Sequence, residues 1–260
     1  MQQLPVAARQ QNWFATIVQF LIVVLGIIIG FQVTAWGNAQ ADRAKEQVYL
    51  QQLEAEFETT MVVLEQDDVD DAPGRRATYQ LVRAFYEVER PPADTLMRWY
   101  NNAIGVGTPR PPLGTIEALI ATGDLRLIRD ADLRANIALY LEEMRGFQAA
   151  HVDAETRWRE AAERLDRYID PARAQDMFMA SGGLEADAIT PDDWEWSMPP
   201  QPRRNPFPFD VEQFLQNRAA FDAVYAMSYG RADMDYLREV MQEATTDLLE
   251  QVQEAQQGWE

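Results

Sequence analysis

The sequence contains no cysteine and a single histidine, His151. The first absence excludes disulfides, thiolate catalysis, zinc–thiolate sites and iron–sulfur clusters. The second excludes multi-histidine metal centres and leaves one residue for any Ser–His–Asp arrangement. It also excludes the paired Glu-x-x-His motifs of a carboxylate-bridged metal bundle. One lysine, Lys45, stands against 22 arginines, as codon bias in a GC-rich bacterium would produce. Strand-like alternation and Gly-rich phosphate loops are missing from all 260 residues.

Positive charge is scarce. The 23 basic side chains face 42 acidic ones, a net charge of −19. Residues 1–40 hold one charged side chain, Arg9, so the acid excess lies entirely downstream. Nucleic-acid surfaces need clustered Lys and Arg, and anionic lipid repels such a domain, so neither is a partner expected here. A solvated, solubilising surface is the plainest account of the acidity. Neighbouring carboxylates such as Glu142-Glu143 are too common in this chain to mark a site, and no enzyme signature, cofactor motif or metal-ligand pattern emerges.

Against this polar background stands FLIVVLGIIIGFQVTAW, Phe20 to Trp36. From Phe14 to Val33 the clearly polar side chains are Thr16, Gln19 and Gln32. About 20 helical residues at roughly 1.5 Å each cross the roughly 30 Å hydrocarbon core of a bilayer. Trp13 and Trp36 bracket the run about 35 Å apart, where interfacial aromatic rings sit. Three readings compete. A cleaved signal could use Ala39-Gln40-Ala41, but the run exceeds a usual signal core; a buried core helix is the third. Length and the flanking tryptophans favour a retained anchor over residues 13–36. Gly26 and Gly30 form a GxxxG face on which helices can pair, with Gln19 and Gln32 able to hydrogen-bond across it. A homo-oligomer is the expected assembly. Arg9 on one side nearly balances Arg43 and Lys45 on the other, but a short tail before a long apolar run suits a signal anchor that exports its C-terminal part. The expected location is the bacterial inner membrane with the C-terminal part in the periplasm.

The remainder reads as helix. After a polar tail at 1–12 and the span at 13–36, residues 37–69 form an amphipathic stalk. Leu50, Leu53, Phe57, Met61 and Leu64 recur at helical spacing within it. DDVDDAPG (Asp67–Gly74) is expected to end this helix as a solvated acidic knot; it lacks the alternating ligands of a calcium loop. Residues 70–260 form an acidic α-helical domain with shorter helices at Arg75–Glu89 and Asp94–Ile104, a rigid break at TPRPP, and a short helix stopped at Gly123. Asp130 N-caps a long helix with a stripe from Leu133 through Met144, His151 and Trp158 to Leu165. An irregular Pro- and aromatic-rich segment at about 170–208 carries Arg203-Arg204. Asp210 and Gln213 resemble a capping box before a last helix, whose face is read as Phe221, Tyr225, Tyr229, Tyr236, Val240, Ala244, Leu248 and Val252. Gly230 is a place where that helix could kink. The fold class is all-α: a transmembrane helix continuing into a stalk, then a bundle or long antiparallel helices.

GIIIGFQVTAW (Gly26–Trp36) running into an acidic amphipathic helix resembles the N-terminal signature of a bacterial family of single-pass membrane proteins with no assigned activity. GTIEALIATGDLRLIRDADLR (Gly114–Arg134) is similar to that family's second block, Gly-Thr-x-Glu-x-Leu-x-x-x-Gly-x-Leu before a helix start. The chain departs from the first block at Thr34, Ala35 and Gly37, where the pattern favours Asn. The likeness implies an anchor and a helical fold, and singles out Gln32, Trp36, Thr115, Glu117, Gly123 and Leu125.

Two functions fit. One is a non-enzymatic interaction, scaffold or sensor-like module with an unidentified protein partner. The other is a ligand-binding domain whose pocket, between the long helices, is lined by Trp158, Tyr225 and Tyr229 with His151 or an arginine orienting the ligand. His151 itself falls on an apolar stripe, where a core or interface histidine is the ordinary reading.

Overall fold

The computed structural model describes residues 11–169 and 209–258. The tail before Gln11 and the Pro- and aromatic-rich segment, with its Arg203-Arg204, lie outside the described residues. Among the described residues the protein is all-α, with six α-helices, one 3-10 turn and no strand.

Helix α1 runs unbroken over Gln11–Ala84, 74 residues or about 110 Å. α2 spans Ala93–Ala103, α3 spans Gly114–Thr122, and a 3-10 turn at Asp124–Leu127 comes next. α4 is Ala131–Leu165, α5 the short Val211–Leu215, and α6 Arg218–Gln257. Local chemistry sets several of these ends. Gly123 takes φ +76°, which a Cβ would disfavour, and closes α3. Asp130 accepts from the amides of Asp132 and Leu133 to start α4. Asp210 caps α5 through Gln213, as its spacing suggested, but Asn217 then caps a separate α6 by accepting from Ala219 and Ala220.

Two boundaries differ from expectation. The acidic knot Asp67–Gly74 does not end the stalk, and Arg75 does not begin a new helix; α1 carries Pro73 in its interior. Proline there forfeits one backbone hydrogen bond. Buried side chains on both sides, Leu64 before and Ala77, Leu81 and Ala84 after, hold the helix through that gap. The division at residue 69 between stalk and domain therefore falls inside one element, and the stalk is part of the bundle.

α6 is the central member, packing against both α1 and α4, with α2 against α1. Two cores result. The one nearer the apolar stretch joins Leu50, Leu53, Phe57 and Leu64 of α1 to Ile137 and Met144 of α4 and Met241, Leu248 and Val252 of α6. The far one joins Ala77, Leu81 and Ala84 to α2, Trp158 and Leu165 of α4, and Val224, Met227 and Met234 of α6. α6 thus runs antiparallel to both α1 and α4. Phe57 meets Tyr140 edge-to-face at 5.2 Å between centroids, and Tyr140 shares a 3.0 Å hydrogen bond with Thr245. Burial pushes the Tyr140 hydroxyl up to about 12.

The expected α4 stripe is the buried one. The expected α6 face is buried at Leu248 and Val252 but not at its tyrosines: Tyr225, Tyr229 and Tyr236 are 52, 64 and 65% exposed. The buried row reaches those two residues through Met227, Arg231, Met234, Arg238, Met241 and Thr245, and two arginines in it hid the pattern. Nor does Gly230 split α6. It makes room for α4, since a Cβ there would stand 2.9 Å from Trp158 Cβ and 3.1 Å from its backbone. Gly230→Ala should therefore destabilise the protein by about 1–3 kcal/mol despite alanine's better helix propensity, readable as a lowered midpoint in urea.

Candidate functional site

Between the two cores lies a polar layer. On α1, Asp67, Asp71, Gly74 and Thr78 continue the register of Leu64 toward Leu81, so four small or charged residues occupy core positions of an otherwise apolar stripe. On α6, Arg231 and Arg238 sit seven residues apart on the inward row, 2 and 3% exposed. The two sets meet. Arg231 pairs with Asp71 and donates to the carbonyls of Ala103 (2.9 Å) and Gly105 (2.6 Å) at the end of α2. Gly74 leaves the space its guanidinium fills, which lies 2.8–3.0 Å from where a Cβ would stand. The guanidinium carbon is 5.8 Å from the centre of the Trp158 ring, within cation–π range. Arg238 donates to Asp67 (2.7 Å), Asp68 (3.2 Å) and Asp235 (2.8 Å). Arg75 joins Asp68 and Asp235 at the edge.

Buried charge without partners would be prohibitive, so this layer exists because each arginine meets several acceptors. Burial works against the Arg238 cation, yet its hydrogen bonds to Asp67 and Asp235 outweigh it and hold its proton more firmly than usual. Asp235 is pushed up by burial, which its hydrogen bond to Arg238 and the Arg75 charge only partly offset. Among the described residues, four buried side-chain nitrogens beside the layer have no hydrogen-bond partner: Trp158 Nε1, Arg231 Nε and both ring nitrogens of His151.

His151 is 2% exposed. Burial lowers its pKa, opposed by Asp67 and aided by Arg238, while Glu155 and Asp71 also oppose. Its folded pKa therefore lies below the unfolded value near 6.5. Its contribution to stability is complete above that value and is lost as pH falls through the folded one. Against a His151→Phe variant, wild type should lose additional thermal stability between pH 7 and pH 5, and parallel melting curves would contradict this.

Closer to the apolar stretch, α1 carboxylates hold the segment Gly114–Arg129. Glu56 accepts from the amides of Thr115 (2.6 Å) and Ile116 (3.4 Å), capping α3 from another helix. Glu46, nearly buried, accepts from the Arg129 amide and Nε, both at 2.7 Å. Tyr49 donates to Asp124 at 2.7 Å. Thr115 thus enters through its amide, Gly123 through its φ, Leu125 by packing on the nearer core, and Glu117 through an ion pair with Arg145. Glu56→Ala should cost about 1–2 kcal/mol, with faster amide exchange confined to Thr115–Thr122.

The side chains named from the sequence as a ligand pocket do not gather. Trp158 is in the far core against Arg231, while Tyr225 and Tyr229 stand on the outer face of α6. His151 instead borders a different cavity, under TPRPP. Gly26 and Gly30 have open space where a Cβ would be, and Gln32, Trp13 and Trp36 are exposed. The Asp–Arg layer escaped sequence reading because its members were weighed by polarity; their 3- and 4-residue spacing was the available signal.

Among the described residues one helix is long and apolar enough to cross a membrane, and none of its apolar window is buried within the fold. A core helix would be covered, and no described residue covers FLIVVLGIIIGFQVTAW. The chain matches no family model, no curated protein and no solved structure.

Proposed function

We propose that the protein is a single-pass inner-membrane protein whose acidic helical domain is a non-enzymatic interaction or sensor-like module, with the domain in the periplasm. The observation that carries this reading is the division of α1. From Trp13 to Lys45 no described side chain is buried, and from Glu46 onward the same helix supplies core to both clusters. Phe20, Ile22, Phe31 and Val33 are each more than 60% exposed; leaving such side chains in water forgoes roughly 1.5–3 kcal/mol apiece, which a bilayer recovers. Cleavage after Ala41 would fall within a continuous helix, which supports retention.

A module of this kind needs a route between membrane and domain, and the shared helix is one. Rotation or displacement of the span would move Asp67 and Asp71 against Arg231 and Arg238 if α1 turns as one body, because the span and both aspartates lie on one continuous helix. The open Gly26/Gly30 face supports self-association as the event in the membrane. A cysteine scan of residues 24–34 in this cysteine-free chain tests it. Oxidation in membranes should give disulfide dimers peaking at Gly26 and Gly30. Uniformly absent crosslinks, with monomer alone in detergent sizing, would remove the oligomer.

A further inference from the structure

Where α1 passes the nearer core its outward side is bare. Leu50, Leu53, Phe57 and Leu64 face inward and are at most 1% exposed. Nearly half a turn away stand Val48, Ala55, Val62 and Val69, spaced seven apart, with Gln52, Thr59 and Gln66 between them. All seven are exposed, Val48, Val62 and Val69 by 50, 64 and 65%. The domain carries the whole acid excess of the chain, yet none of the seven is charged. Glu58, Glu65 and Asp70 stand beside the stripe rather than in it. Alternating 3- and 4-residue steps are the pattern on which two helices pair along a shallow left-handed seam.

Neither lipid nor the domain covers this stripe. Val48 lies 12 residues beyond Trp36 and Val69 lies 33 beyond it, about 18 and 50 Å along the helix and clear of a hydrocarbon core that ends near Trp36. Past Val69 the stripe stops, because Ala77, Leu81 and Ala84 turn that side of α1 into the core shared with α2. Toward the membrane it continues. At 3.6 residues per turn, 18 residues make five turns, so Val48 lies on the same side of the rod as Gly30. Val62, 36 residues from Gly26, lies on the same side as Gly26. Between span and domain this side presents Gly37, Ala41 and Ala44, all exposed. None has a side chain larger than a methyl group, so a second backbone can approach closely.

We infer that the outward stripe of α1 is the seam of a parallel homodimer, along which a second copy of this chain extends the Gly26/Gly30 pairing from the membrane out to Val69. The seam rests on that pairing for its origin and adds the part outside the bilayer. A two-fold axis along it sets each residue against its own copy, valine on valine and alanine on alanine. Charge favours a second copy here, since two acidic domains repel except where an uncharged line lets them meet. The bundle lies on the opposite side of α1 and leaves the approach open. Area favours it too. From Gly26 to Val69 is about 65 Å, and a contact strip about 10 Å wide buries roughly 1,300 Å² over both copies, above the roughly 1,000 Å² of a specific interface. The span alone, about 36 Å long, gives about 700 Å² by the same measure. Gln and Thr at alternate positions and repulsion between Glu65 and Asp70 keep the outer seam weak. It therefore closes once paired spans hold two copies at high effective concentration.

Without native cysteine, one introduced thiol per copy reports its distance from its own counterpart. The purified full-length chain is placed in liposomes at a low protein-to-lipid ratio and oxidised, with cysteine in turn at Ala55, Val62, Glu58 and Glu65, all exposed positions. A disulfide needs Cα atoms within about 7 Å, so Ala55→Cys and Val62→Cys should crosslink about fivefold faster than Glu58→Cys and Glu65→Cys. Adding Val62→Glu should slow the Ala55→Cys crosslink about fivefold and leave the melting temperature unchanged, because an exposed position carries little of the fold. Val62→Leu should speed it. Equal rates on and beside the stripe, or an Ala55→Cys crosslink indifferent to Val62→Glu, would overturn the seam. Crosslinks at Gly26→Cys and Gly30→Cys with none at Ala55→Cys or Val62→Cys would overturn it while leaving the membrane pairing in place. Absence at all four positions would remove both. Stripe cysteines that crosslink to a different protein in native membranes, and not to each other in liposomes, would assign the stripe to that protein and overturn the homodimer.

Discussion

Replacing Asp71 by alanine is expected to destabilise the helical domain by about 3–5 kcal/mol, lowering its melting temperature by on the order of 10 °C. Asp71 and Arg231 are an ion pair with side chains 4 and 3% exposed. Removing the carboxylate leaves a guanidinium buried beside Trp158 with only the Ala103 and Gly105 carbonyls to accept from it. Most of the loss is the uncompensated charge. The double variant Asp71→Leu/Arg231→Met should therefore recover more than half of it, because two apolar side chains of similar volume need no partner. It should not recover everything, since the two carbonyls lose their donor. Equal instability of the single and double variants, by calorimetry in the same detergent, would mean that the layer acts through shape alone.

Deleting residues 1–40 is expected to move the protein from the membrane fraction to the soluble fraction with its fold intact. The described residues upstream of Glu46 contribute no buried side chain, so the melting temperature should stay within a few degrees of the full chain's. The removed segment holds most of the exposed apolar surface that the proposed span places in lipid. The remainder keeps the entire acid excess, which favours solubility. An aggregated or molten product would show that the span stabilises the bundle directly; continued sedimentation with membranes would show a second attachment surface.

The parts of this architecture legible in the sequence are those where hydrophobicity alone carries the pattern. The α4 stripe from Leu133 to Leu165, the Leu50–Leu64 stripe of α1, the Gly123 stop and the Asp130 cap all stand where spacing and side-chain chemistry put them. Reading failed where charge was buried. Asp67–Gly74 looked like a solvated terminus because four aspartates and a proline ordinarily break a helix. Here the arginines of α6, distant in sequence, draw Asp67 and Asp71 inward, with Gly74 beside them. The same pairing displaced the α6 face: with Arg231 and Arg238 counted as surface, the row of Phe221, Tyr225, Tyr229 and Tyr236 was the most hydrophobic alternative. For the same reason the candidate pocket was misplaced. Tyr225 and Tyr229 went with the wrong face, and Trp158 went into the core against Arg231. The cavity beside His151 depends on how TPRPP lies across α4, a tertiary relation that spacing within one segment does not encode.

For the span to act on the Asp–Arg layer, α1 must be one rigid rod from the membrane into the bundle. In a chain without native cysteine, nitroxides at Val33 and Glu58 report on this directly, since both positions are exposed on α1. Twenty-five residues of continuous helix separate them, or about 38 Å at the helical rise. Electron–electron resonance on the protein in nanodiscs should give a narrow distance distribution centred near that value. A broad distribution, or one centred many ångströms shorter, would mean that the helix breaks between span and domain and that the membrane segment is only a tether.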